Sequence, residues 1–139
     1  MKRFTAFLSL LAVMAVLGLS AIILTGCAST QITADMTSAQ KADLVVSDIE
    51  TGLATAQALY PALVAAVSPD KAQEVTARVA PAMDAAVSAV AVVRLAVETW
   101  KATGDGIDTQ DWVTIRSTAA QAVANVVVII AELRSAYGV

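Results

Sequence analysis

Side chains that commonly carry out catalysis or bind metals are scarce in this chain. Among its 139 residues there is no histidine and a single cysteine, Cys27. Without histidine the chain lacks the usual general base and the commonest metal ligand. Its serines have neither a G-x-S-x-G setting nor a plausible base partner, and no glycine-rich phosphate loop is present. The residue types therefore favour a non-enzymatic protein.

Three aspartates form the densest acidic group, at Asp105, Asp108 and Asp111 around a glycine-rich turn. Carboxylates at this spacing could bind a hard cation such as calcium, but the pattern does not match an EF-hand loop, which places a bidentate acid at its twelfth position. Acids are also favoured at a helix N-terminus by the helix dipole. We interpret the three aspartates as helix-terminal charges and expect no metal and no cofactor, with a cation site here as the alternative.

Cys27 follows an apolar N-terminal segment. Lys2 and Arg3 precede an uncharged run from Phe4 to Leu24, which is the order found in secretory signals. A run of this length could also span a bilayer as a retained helix. A lone cysteine cannot form an intramolecular disulfide, and a free exported thiol would be a liability.

The residues that close this segment, Leu24-Thr25-Gly26-Cys27, resemble the lipobox of bacterial lipoprotein precursors, in which an aliphatic residue and two small residues precede an invariant cysteine. The resemblance implies that a signal peptidase recognises Leu24, Thr25 and Gly26 and cleaves before Cys27. It also implies covalent lipid on Cys27, a diacylglycerol thioether and an N-acyl chain such as palmitate. Two or more acyl chains attach a protein stably to a membrane.

The residue after the cysteine bears on localisation. By the same resemblance, an aspartate there would favour retention in the inner membrane of a Gram-negative cell. The chain has Ala28, so we expect the inner leaflet of the outer membrane, facing the periplasm. A Gram-positive host would change this expectation.

The charges lie in the part of the chain that would remain after cleavage. Removal of residues 1–26 takes away Lys2 and Arg3 but no acid, which leaves seven basic and twelve acidic side chains and a net charge of −5. No basic stripe is available to neutralise phosphates, so a nucleic-acid partner is not expected. An anionic lipid surface would not attract this body either, which leaves the lipid on Cys27 as the membrane anchor.

A short polar tether over residues 27–36 leads to the first predicted helix. Thr37 with Gln40 fits a capping box, and the apolar positions that follow recur at steps of three and four. Pro61 predicts a kink or break near residues 57–60. The predicted stripe comprises Val45, Ile49, Leu53, Ala56, Tyr60, Leu63 and Val67.

Ser68-Pro69-Asp70 predicts the start of a second helix. Pro81 should bend this helix near Ala77. A second set of apolar residues on its opposite side predicts that it packs between two neighbours as the central element. The first stripe is Val75, Val79, Met83, Ala86, Val90, Val93, Val97 and Trp100, and the opposite set is Val87, Val92 and Leu95.

Gly104-Asp105-Gly106 should end the second helix, and Asp108 should cap a third. The β-branched run Val126–Ile130 could favour a strand, but its flanking sequence favours a helix. The predicted fold is therefore all-α, an up-down three-helix bundle with proline-kinked helices at residues 37–139, after a cleaved signal peptide at 1–26. The third stripe is Trp112, Ile115, Ala119, Ala122, Val126, Ile130, Leu133 and Tyr137.

Most polar positions of the helices are expected on the surface. We place Asp43, Asp48 and Glu50 on the solvent side of the first helix, and pair Glu74 with Arg78 along the second. Asp84 and Arg94 are expected on an exposed face, with a buried contact between helices as the alternative. The aromatic residues Trp100, Trp112 and Tyr137 are predicted to cluster at one end of the bundle, as core.

Together these features predict an envelope lipoprotein that acts through protein–protein contacts, with a protein partner or a second copy of itself. The alternatives are an oligomeric membrane-active protein and a binder of small ligands in a cavity between helices. Short alanine-rich helical lipoproteins of this general look also occur in phage and prophage genomes. That likeness adds envelope modification or lysis to the roles considered.

Overall fold

A computed structural model describes residues 35–103 and 109–139. They form three α-helices: α1 (Ser38–Ala66), α2 (Pro69–Thr103) and α3 (Thr109–Tyr137). Each helix packs against the other two, and successive helices run in opposite directions. The all-α, up-down three-helix bundle predicted from the sequence is confirmed. The signal peptide predicted at residues 1–26, and the tether up to residue 34, lie outside the described residues.

The ends of the helices follow from local sequence. Thr37 Oγ1 accepts a hydrogen bond from the Gln40 backbone N–H at 3.2 Å, and Gln40 Oε1 accepts one from the Thr37 N–H at 2.8 Å. This is the predicted capping box, and it satisfies two N–H groups that have no partner within the helix. At the start of α2, the Ser68 carbonyl accepts the first helical hydrogen bond, from Ala72 at 2.9 Å.

The C-terminus of α3 is closed by Gly138. This glycine has φ +70°, a conformation that side chains with a Cβ rarely adopt. The left-handed turn lets the Val139 N–H donate to the Arg134 carbonyl at 3.1 Å. The bond is the six-residue closure of a Schellman motif, which satisfies a carbonyl at the end of the helix.

The sequence predicts a kink or break near residues 57–60, and no break occurs there. Helix α1 continues through Pro61 to Ala66, and α2 likewise continues through Pro81. Each proline removes one hydrogen bond to the carbonyl four residues earlier, at Gln57 and Ala77 respectively. Both of these residues and both prolines are exposed, so water can satisfy the two carbonyls and the helices need not end.

The three helices enclose one core of small and medium aliphatic side chains. The stripes predicted for α2 and α3 supply much of it, and the β-branched run Val126–Ile130 is helical, as expected. Among the described residues no polar or charged side chain is buried. The largest fully buried side chains are Val46, Val75, Val79, Val93, Val97, Val126, Ile130 and Leu133.

Helices α1 and α3 approach closely at Gly52. This glycine is buried in the middle of α1, and a Cβ placed on it would lie 3.1 Å from Val123 Cγ1 of α3. That separation is shorter than the ordinary contact of about 3.5–4.0 Å between carbon atoms. The absence of a side chain at Gly52 therefore sets the distance between the two helices.

Helix α2 contacts both of its neighbours through a single face. One face packs into the core, while Val87, Val92 and Leu95 on the opposite side are exposed, Leu95 at 68%. All three helices contact one another, so the bundle is triangular in cross-section and each helix has one buried face. The prediction that α2 buries two apolar faces as a central element is wrong.

Candidate functional site

A cluster of charged side chains joins α1 to α2. Arg94 Nε donates to Glu50 Oε1 at 2.8 Å, and Arg94 Nη2 donates to the other carboxylate oxygen. Lys101 Nζ lies 2.6 Å from Asp43 Oδ2. Arg94 Nη1 also lies 3.8 Å from oxygens of Asp43 and Glu98. We call Asp43, Glu50, Arg94, Glu98 and Lys101 the charge cluster.

The charge cluster fixes how α1 lies against α2. Asp43 and Glu50 are seven residues apart, as are Arg94 and Lys101, so both pairs form together when the helices are antiparallel. The hydrogen bonds that Arg94 donates to Glu50 raise the pKa of Arg94, and the one that Lys101 donates to Asp43 raises the pKa of Lys101. Ion pairs that remain partly exposed are screened by water, so the main effect of these pairs is on the orientation of the helices.

The geometry corrects the expected positions of these charges. Asp43 and Glu50 are not free solvent-side acids, since both contact cations of α2. Arg94 makes a contact between helices, but this contact is not buried, unlike the alternative that was considered. These side chains remain about one-third exposed. Asp84 is exposed, as expected. The matched spacing of seven residues on two helices is the signal that could have predicted the pairing.

A second polar group lies where the start of α2 meets the end of α3. Lys71 Nζ is 3.1 Å from Glu74 Oε2 and 5.5 Å from the centre of the Tyr137 ring. Arg78 pairs with Glu132 of α3 at 3.3 Å. Glu74 therefore pairs with Lys71, and the predicted pair of Glu74 with Arg78 is wrong.

The Tyr137 hydroxyl is shielded from water. It lies near the Glu74 carboxylate, yet it meets no acceptor at full hydrogen-bonding geometry among the described residues. Desolvation raises the pKa of Tyr137, and the nearby Glu74 carboxylate adds to this rise. The hydrogen bond from Lys71 is the main cause that lowers the pKa of Glu74, and Tyr137 contributes further.

Glu74→Gln should change the dependence of stability on pH. The pKa of Glu74 is lowered in the fold from its ordinary value of 4.5, so its ionised form stabilises the fold above that value, and this contribution is lost as pH falls through the lowered pKa. Melting temperatures of the two proteins should therefore differ at pH 7 and converge as the pH falls below 4.5 through the lowered pKa of Glu74. A constant difference from pH 7 to pH 2.5 would contradict the assignment. Asp84→Asn, at an exposed position, is the control.

The aromatic residues do not form one cluster. Trp100 and Trp112 lie at the end of the bundle where α2 ends and α3 begins, and both pack partly buried against the core. Tyr137 lies at the opposite end, beside Lys71. At a rise of 1.5 Å per residue, the length of α3 separates Trp112 from Tyr137 by about 38 Å. The predicted single cluster is therefore wrong, although all three pack against the core.

Of the three aspartates considered as a metal site, only Asp111 lies among the residues that the structure describes. Asp111 is exposed in the first turn of α3, a position that suits the helix dipole. Asp105 and Asp108 lie outside the described residues, as do Leu24, Thr25, Gly26 and Cys27. Within ranges 35–103 and 109–139, no group of three or more histidine, cysteine, aspartate or glutamate residues could hold a metal ion.

The surface near the start of α2 has a depression of about 360 Å³. It is lined by four residues of that helix, none of them ionisable: Ala72, Gln73, Thr76 and Ala77.

The chain matches no known family model, no curated protein and no solved structure. Its function must therefore follow from the residues themselves.

Two of the helices have the length and composition of membrane spans. They are Pro69–Thr103 and Gln110–Tyr137, each with an apolar window of 18 residues. The core helix of a soluble bundle passes the same test of length and composition. The two helices are therefore only weak support for the membrane-active alternative.

Proposed function

We propose that the protein is a lipid-anchored envelope lipoprotein that acts through contacts with other proteins. The observation that carries the proposal is the motif Leu24-Thr25-Gly26-Cys27 at the end of an uncharged apolar segment. The thiol of the single cysteine is the nucleophile that thioether attachment requires. Ala28 after the cysteine favours the inner leaflet of the outer membrane, facing the periplasm.

The folded body supports a role in binding rather than in catalysis. Its cations in the charge cluster are paired with carboxylates, and its core is aliphatic. Apolar side chains remain exposed on α2, at Val87, Val92 and Leu95, where another protein could cover them. A lipid anchor confines such a body to one surface and raises its effective concentration for a partner there.

The tether keeps the body close to the membrane. Nine residues lie between Cys27 and the helix cap at Thr37, and at about 3.3–3.6 Å per residue the ten steps from Cys27 to Thr37 span at most about 36 Å. The end of the bundle formed by the start of α1 and the end of α2 is therefore the membrane-proximal end. Partners on the same membrane surface lie within this reach.

Cys27→Ser should abolish metabolic labelling of the protein with palmitate, because a hydroxyl does not replace the thiolate as the acyl-lipid acceptor. Ser29→Ala, two residues away in the tether, is the matched control and should keep the label. Both variants are followed by fluorography of the immunoprecipitated protein. Persistence of the label in Cys27→Ser would refute the lipid anchor.

The second candidate is an oligomeric membrane-active protein, favoured by the length and apolar composition of α2 and α3. The two candidates separate when a conventional cleaved secretion signal replaces residues 1–26 in the Cys27→Ser background. A lipid-anchored body should then be recovered in the soluble periplasmic fraction. Recovery in membranes that resist extraction with alkaline carbonate would favour the membrane-active protein instead.

A further inference from the structure

The outer face of α2 carries an uncharged line of exposed side chains, which we call the outer stripe. Successive members are separated by alternating steps of four and three residues, and all are exposed. This is the heptad spacing with which one helix packs lengthwise along another. The members are Pro81, Ala85, Ser88, Val92, Leu95, Thr99 and Ala102.

Two members of the outer stripe are unusually exposed for apolar residues. Leu95 is 68% exposed and Val92 is 54% exposed. The two residues are three positions apart, in the half of α2 that the proposed anchor places nearer the membrane. Glu98 and Asp84 flank the stripe, and Glu98 points toward Arg94 and α1. The stripe thus offers two apolar anchors in a line that carries no charge.

The charges around the outer stripe distinguish between possible occupants. A lipid surface is bound by helices that flank their apolar face with lysine and arginine and add aromatic residues to it. The stripe is flanked by the acids Asp84 and Glu98 and contains no aromatic residue. A second copy of this acidic chain would be repelled by most of its surface, but it would meet no like charge along the stripe.

The relative orientation of two copies follows from their lipid anchors, so this part of the inference rests on the proposed function. Two bodies tethered through Cys27 in the same leaflet have the same polarity relative to the membrane. A two-fold axis along the membrane normal then places the two α2 helices side by side and parallel. Each member of the stripe faces its own counterpart, so Leu95 packs on Leu95 and Ser88 on Ser88.

The size of the contact indicates where the pairing occurs. The stripe is about 32 Å long at 1.5 Å per residue, and a helix with side chains is about 10–12 Å wide. Two such faces bury roughly 700 Å² in total, which is below the 1,200–2,000 Å² of stable complexes. Pairing should therefore be weak in solution and become populated where tethering raises the effective concentration.

We propose that the protein dimerises on the membrane through the outer stripe of α2, with the two helices parallel and in register. Ser88→Cys tests this in the full lipidated chain, because Ser88 is on the stripe and the only other cysteine carries lipid. Ser117→Cys, an exposed serine on α3, is the matched control. Native membranes are treated with a mild thiol oxidant and analysed by non-reducing electrophoresis.

The expected result is a disulfide-linked dimer of Ser88→Cys, with Ser117→Cys and the unsubstituted chain remaining monomeric. Equal cross-linking of both variants, or none of Ser88→Cys, would overturn the proposal. A cross-linked product of any mass other than twice that of the chain would also overturn it, by identifying a different partner. Palmitate labelling of the same samples separates the two hypotheses: label without a dimer refutes the pairing alone, and absence of label refutes the anchor.

A second substitution tests whether the stripe itself holds the two copies together. Leu95→Glu in the Ser88→Cys background should eliminate the dimer, since it brings two carboxylates face to face. Because Leu95 is exposed, the circular dichroism spectrum and melting temperature should remain those of the parent. A dimer that persists with Leu95→Glu would show that contacts outside the stripe hold the copies, contrary to the proposal.

Discussion

Leu133→Ala is expected to lower the free energy of unfolding by about 2–5 kcal/mol. Leu133 of α3 is 1% exposed and packs within the aliphatic core. The substitution removes the buried isopropyl group and leaves a cavity that the surrounding helices fill only in part. A domain of about 110 residues is stable by some 5–15 kcal/mol, so the loss is a large fraction of the total.

Leu95→Ala is the matched control, because it makes the same chemical change at a position that is 68% exposed. It should alter the free energy of unfolding by less than about 0.5 kcal/mol. Urea titrations of residues 28–139, followed by circular dichroism and extrapolated linearly to water, give both values. Similar losses for the two variants would mean that Leu95 is covered in the isolated body, contrary to the exposed outer stripe.

The bundle itself could be predicted because its signals are local. Helical periodicity and the cap formed by Thr37 with Gln40 depend on residues only three or four positions apart. The Ser68-Pro69 start of α2 is read in the same way. These short-range patterns placed the three helices correctly, including the β-branched run Val126–Ile130 of α3.

The effect of the prolines could not be predicted in this way. Whether Pro61 ends a helix depends on what surrounds the carbonyl that loses its partner, at Gln57. Water reaches that exposed turn, so the helix continues. Whether a proline lies on the exposed or the buried side of its helix is decided by how the three helices assemble.

Contacts between helices also cannot be predicted from local patterns. Pairing Glu74 with Arg78 assumed that each side chain finds its partner on its own helix, whereas Arg78 reaches Glu132 of α3. Placing Tyr137 beside the tryptophans overlooked the length of α3. In both cases the contact is decided by position in the folded bundle and not by spacing along the chain.

The candidate functional residues also include some that can be recognised from adjacent residues and others that only the fold reveals. The motif at Cys27 is a run of adjacent residues, so it can be recognised without a fold. Two members of the outer stripe, Val92 and Leu95, stand out in the sequence as apolar residues, but the pattern there predicts a second core face. A sequence does not state how many neighbours a helix has, and the three-helix geometry leaves this face of α2 uncovered.

Gly52→Leu is expected to destabilise the bundle by about 1–3 kcal/mol, even though leucine is the better helix former. Helix propensity alone would stabilise α1 by about 0.8 kcal/mol. Opposing this, even a Cβ at position 52 would lie 3.1 Å from Val123 Cγ1, and the remaining atoms of leucine must enter the same closed space. Val123 is β-branched, which restricts its χ1 angle in a helix, and it is buried, so overpacking outweighs propensity.

Ala54→Leu is the control for adding a leucine to α1 where there is space, because Ala54 is an exposed position two residues along the same helix. Its effect should stay within about 0.5 kcal/mol. Combining Gly52→Leu with Val123→Ala should restore part of the lost stability, since the smaller side chain frees space where the leucine enters. Coupling between residues in contact is about 0.5–3 kcal/mol, and urea titrations of the four proteins in this cycle measure it. Purely additive losses would mean that Gly52 and Val123 do not determine how closely α1 approaches α3, and that the penalty arises elsewhere on α1.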